Sequence, residues 1–79
     1  MSRDFYRKSI AQHKKAIMRY LEMNSQLCAI EELGALDNAI ATAYFEGAIT
    51  MTETRLLYGA AGKLKKIVRE EFWGHYTIR

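Results

Sequence analysis

No position in this chain is a proline, and apolar residues recur three and four apart along nearly its whole length. Proline removes a helical hydrogen bond and clashes with the turn before it, so its absence leaves every segment free to be helical. Ten alanines, the best helix former, push the same way. The period lies near 3.6, that of a helix. The sequence therefore predicts an all-α fold: a compact three-helix bundle made of a helical hairpin plus an N-terminal helix. Seventy-nine residues predict a single domain, 1–79. A chain this short buries only about 60% of the surface its unfolded form exposes, so interface from a partner or a second copy would add to its stability.

The first helix is expected near 3–23. Tyr6, Ile10, His13, Ile17, Tyr20, Leu21 and Asn24 share one face, while Lys8, Lys15 and Arg19 lie opposite. Ser2 reads as the N-cap, Asp4 suits the positive end of the helix dipole, and Asn24-Ser25 reads as the exit. The second helix is expected near 26–46, with Ala29, Leu33, Leu36, Ile40, Ala43 and Gly47 inward and Ile30 and Tyr44 widening that face. Gly34 costs roughly 1 kcal/mol relative to alanine inside a helix. Two readings follow: one helix through Gly34, or two short ones restarting at Asp37 as N-cap. The continuous helix is preferred.

Gly47 reads as a left-handed C-cap residue. Thr50-Met51-Thr52-Glu53 then has the spacing of a capping box, in which Thr50 and Glu53 satisfy each other's backbone N–H groups. The third helix is expected near 51–73, with Leu57, Ala60, Ala61, Leu64, Ile67, Val68 and Phe72 inward and Gly74 ending it. In the short tail, 74–79, Tyr76 and Ile78 are placed to fold back on the core.

Charge is segregated along the chain. Residues 1–19 hold Arg3, Arg7, Lys8, Lys14, Lys15 and Arg19 against Asp4, a net of +5. Residues 20–53 hold Glu22, Glu31, Glu32, Asp37, Glu46 and Glu53 and no cation, a net of −6. Residues 54–79 return to +4, with Arg55, Lys63, Lys65, Lys66, Arg69 and Arg79 against Glu70 and Glu71. An acidic middle packed beside two basic arms neutralises part of their field, which weakens the case that a net charge of +3 makes for nucleic acid.

Little in the chain suits catalysis. Cys28 sits in an apolar, acidic stretch with no neighbouring cation in sequence to activate its thiol, so it reads as a small buried hydrophobe. His13 falls on the apolar face and reads as a boundary histidine satisfied by a neighbour, and His75 as exposed. Glu31-Glu32 and Glu70-Glu71 are adjacent pairs that diverge on a helix. Gly59-Ala60-Ala61-Gly62 lacks the strand–turn–helix context of a phosphate loop. One cysteine and two histidines cannot build a structural zinc site by themselves. The reading is of a protein that is not an enzyme, with no metal site and no cofactor. No apolar run approaches the length of a membrane span, and Met1 to Phe5 has no apolar signal core, so a cytoplasmic location is expected.

Two local patterns bear on partners. Ala43, Gly47, the pair Ala48-Ile49 and Thr50 resemble the turn of a helix-turn-helix over about 14 residues. The pattern departs at Glu53, where such motifs place a buried aliphatic, and returns at Leu56. Separately, Thr50-x-x-Glu53-x-x-x-x-Tyr58-x-Ala60-Ala61 resembles a stretch of the Hha/YmoA family, small helical proteins that modulate gene silencing by binding a nucleoid protein. That likeness covers a dozen positions and implies a protein partner.

The outer face of the third helix is the most informative anomaly. Arg55, Gly59, Gly62, Lys66, Arg69 and Trp73 recur four and three apart on the side away from the expected core. Two glycines there weaken a helix by roughly 1–2 kcal/mol together, which makes sense if another chain lies against them. These six residues are the expected partner-binding site, and Lys8, Lys15 and Arg19 a second, basic face. The function expected is a small protein-interaction module acting as regulator, adaptor or inhibitor of a larger partner, of the kind phages and mobile elements carry. A homodimer is a further option. The alternative is a helix-turn-helix-like DNA- or RNA-binding regulator.

Overall fold

The computed structural model describes the backbone of residues 3–77 and the side chains of residues 3–70. It contains three helices, α1 (Arg3–Glu22), α2 (Gln26–Phe45) and α3 (Met51–Thr77), and no strand among the described residues. Helix α2 runs unbroken through Gly34. It is the central element: α1 and α3 each pack mainly against it. His13 of α1 pairs with Glu32 of α2, and Lys65 of α3 with Asp37 of α2 at 2.8 Å. Both neighbours therefore run antiparallel to α2, which leaves α1 and α3 parallel to each other. The bundle measures 48 × 20 × 13 Å, a flattened triangle whose α1–α3 side stays open.

Both helix exits use the same device. After α1, Asn24 takes a left-handed φ of 57°, Ser25 N–H donates to Tyr20 O at 2.8 Å and Asn24 N–H donates to Leu21 O at 3.1 Å. After α2, Gly47 has φ of 73°, Ala48 N–H donates to Ala43 O at 2.8 Å and Gly47 N–H donates to Tyr44 O at 3.0 Å. These are Schellman closures, which satisfy the last carbonyls and turn the chain back on itself. The entry to α3 is the capping box: Glu53 N–H donates to Thr50 Oγ1 at 3.1 Å, and Thr50 N–H donates to Glu53 Oε1 at 3.2 Å.

The core is the predicted α2 stripe, Ala29, Leu33, Leu36, Ile40 and Ala43, closed by Ile10 and Ile17 of α1 and Ala61 and Val68 of α3. The turn adds Ala48 and Ile49. Thr54 is also buried; its hydroxyl donates to Thr50 O at 2.8 Å, so the polar group is satisfied by the residue that caps its helix.

Several expectations are corrected. Cys28 is exposed, because burial on α2 starts at Ala29 and its neighbour in sequence points elsewhere on the helix. Ile30, Tyr44 and Ile67 are exposed for the same reason, each lying outside the narrow buried stripe of its helix. Asn24 and Gly47 are exposed turn residues rather than members of a packed face. Helix α3 continues past Gly74 to Thr77: a glycine in helical conformation weakens a helix without stopping it. Ser2, Ile78 and the side chains of Phe72, Trp73, His75 and Tyr76 lie outside the described residues.

Candidate functional site

The predicted α3 residues Arg55, Gly59, Gly62, Lys66 and Arg69 are all exposed and, at their spacing, share one face of the helix. A methyl group added at Gly59 or Gly62 would meet no neighbouring atom within 4 Å. The stripe is therefore a solvent face, flat and narrow in its middle, with cations around it. Lys8, Lys15 and Arg19 are likewise exposed, on α1. These two sets are convex surfaces on different helices and do not converge on one site.

What converges is a groove on the open side of the triangle. Ile10 and Ala11 of α1, Ile49 of the turn, and Leu56 and Leu57 of α3 form its apolar lining, and Arg7, Lys14 and Glu53 supply its charges. Its volume is about 330 Å³. Leu56 is 70% exposed, a large apolar side chain left in water beside a formed core. At one end Arg7 Nη2 lies 2.8 Å from Glu53 Oε2, an ion pair that links α1 to the capped start of α3. Beyond Lys14 the α1 surface continues into a separate shallow hollow lined by Lys15, Met18, Arg19 and Glu22, so two of the three predicted basic residues lie near the groove without lining it.

The sequence reading missed this groove. Leu56, where the helix-turn-helix pattern returns, is exposed in the structure. The adjacent Leu56-Leu57 pair carried the signal, since neighbouring helical residues point about 100° apart and only one can face a narrow core. The turn itself has the left-handed glycine and buried apolar pair that the pattern calls for.

His13 and Glu32 satisfy each other at the α1–α2 boundary. Among the described residues no group of three or more His, Cys, Asp or Glu is placed to hold a metal ion, and no helix is long and apolar enough to cross a membrane. No family model, curated protein or solved structure matches the chain.

Proposed function

We propose that this protein is a non-enzymatic protein-interaction module, acting as a regulator, adaptor or inhibitor of a larger partner. The observation that carries this reading is the α1–α3 groove, where Leu56 stands exposed beside Ile10, Ala11 and Leu57. Apolar side chains gathered in a concavity and bordered by charge mark contact surfaces on small proteins. The exposed α3 stripe from Arg55 to Arg69 lies on the adjoining side of the same helix and widens the surface a partner can cover. A cytoplasmic setting belongs to the same proposal, and the lone exposed thiol of Cys28 suits a reducing compartment.

A second reading keeps one supporting observation. Glu53, which would repel phosphate in the first turn of a recognition helix, is paired with Arg7, while Arg55 and Thr52 remain exposed. This favours nucleic-acid binding through α3 as the alternative.

Capture from cells that express the protein, with and without nuclease, separates the two. A protein that stays bound after nuclease treatment, with shallow salt dependence, supports the interaction module. Retention lost to nuclease, or an affinity falling linearly and steeply with log salt, supports the alternative.

A further inference from the structure

We infer that the α1–α3 groove is a docking site for one amphipathic helix with acidic flanks, supplied by a different protein. The inference rests on the interaction-module reading and specifies its partner. Three features argue for a helix of that chemistry. First, the groove lies between two parallel helices that both pack on α2, and a further helix laid along it would complete a four-helix arrangement. Arg7 to Lys14 spans two turns of α1, roughly 10 Å, the length over which a docked helix presents anchors at i, i+3 or i+4 and i+7.

Second, the floor is apolar and its most prominent side chain, Leu56, has no cover. Third, the banks select charge. Glu53, the one carboxylate in the groove, is already held by Arg7 and by the Thr50 N–H. Lys14 has no ion-pair partner among the described residues, and the adjoining hollow on α1 adds Lys15 and Arg19 against one carboxylate, Glu22. The unmatched charge facing an occupant is therefore positive, and acidic residues flanking its apolar stripe complement it.

A second copy of this chain is the weaker fit. Of the three carboxylates on α2, Glu32 and Asp37 are already paired with His13 and Lys65, which leaves Glu31 alone to meet a basic bank. Phosphates gain nothing from a floor of isoleucine, alanine and leucine.

The test is a displayed library of helix-favouring peptides, with apolar residues at i, i+3, i+4 and i+7 and flanking positions randomised among Glu, Lys and Gln. It is selected against the full chain, and the winners are then measured in solution. The expected result is enrichment of Glu at the flanks, with peptide-induced shifts of the Ile10, Ala11, Leu56 and Leu57 methyl signals. Leu56→Asp should weaken these peptides at least tenfold while the protein keeps its helical spectrum, and Lys14→Glu should weaken them several-fold, mainly by slowing association. If Leu56→Asp does not fold, Ala11→Glu, at an exposed helical position of the same groove, carries the same test. Flanks enriched in Lys, or indifferent to charge, overturn the proposal. A parent protein that sediments as a dimer with its groove methyls protected also overturns it, in favour of a second copy. Peptides that survive both groove substitutions but are lost with Gly62→Leu overturn the groove and leave the interaction module standing. A library yielding no binder, from a protein that binds duplex DNA with a steep salt slope, overturns both.

Discussion

Arg7 of α1 holds the carboxylate that caps α3: its Nη2 lies 2.8 Å from Glu53 Oε2, while Glu53 Oε1 accepts the Thr50 N–H at 3.2 Å. One side chain thus ties the two outer helices together and starts the third. The cap and the tie differ in strength. Loss of an N-cap hydroxyl costs about 1 kcal/mol, whereas an ion pair between half-exposed partners contributes about 0.2–1 kcal/mol and is screened by salt. Thr50→Ala should therefore lower stability to urea by about 1 kcal/mol at any ionic strength. Glu53→Gln keeps an oxygen for the Thr50 N–H but loses both the pairing with Arg7 and the carboxylate's attraction to the positive end of the α3 dipole, two salt-screened effects, so its deficit should shrink at high salt. Equal deficits at low and high salt would show that the Arg7–Glu53 pair contributes nothing measurable.

Gly34 and Gly47 are expected to respond to alanine with opposite signs. A methyl at Gly34 meets no neighbouring atom within 4 Å and sits inside a continuous helix, so Gly34→Ala should stabilise by about 1 kcal/mol. Gly47 also has open space, but its φ of 73° is strained for any L side chain. Gly47→Ala should cost about 1 kcal/mol. Urea midpoints of the two variants check the signs, and stabilisation at Gly47 would mean that the turn adopts another conformation.

Most of the fold was legible because its signals are local. The α2 stripe from Ala29 to Ala43, the Gly47 exit and the Thr50–Glu53 box each depend on residues within a few turns of one another. The errors share a different cause. Cys28, Ile30, Tyr44 and Ile67 are apolar by composition, but how wide a helix's buried face becomes depends on how many neighbours cover it. Here α2 has two neighbours and α1 and α3 mainly one each, and no periodicity within a single helix reports that. The groove was hidden for the same reason. Arg7 and Lys14 belong to α1 and Leu56 to α3, and only packing on α2 brings them together. The outer α3 stripe lay within reach of the sequence because it is a property of one helix.

The narrowness of the buried stripe gives a sharp contrast between two α2 positions. Leu36 is fully buried at the centre of the helix that both others pack against, whereas Ile30 is 41% exposed. Leu36→Ala removes a packed side chain and leaves a cavity, at a cost of about 2–5 kcal/mol. That is a large share of the total stability of a small domain. Ile30→Ala should cost distinctly less, since part of that surface never left water. Denaturant unfolding of both variants decides the matter. Similar losses at the two sites would mean that Ile30 is covered in solution, by a partner or a second copy.

Gly59 offers the test of the outer face of α3. It lies one turn from Leu56, so a helix seated on Leu56 passes close to it. With no neighbouring atom within 4 Å, leucine fits in the free protein, and its better helix propensity should leave the melting temperature equal or higher. Against a bound partner the same side chain takes up space the contact needs, and overpacking should weaken binding about tenfold or more. Lys66→Glu, further along the stripe, should slow association with an acidic partner more than Lys66→Gln does, because it adds repulsion rather than only removing attraction. Melting temperature, equilibrium affinity and association rate are the three measurements needed. A well-folded Gly59→Leu protein that binds as tightly as the parent would remove the outer face from the interface and confine the partner to the groove. An unfolded one would show that Gly59 is packed against the bundle, and that the rotational setting of α3 differs from the one described.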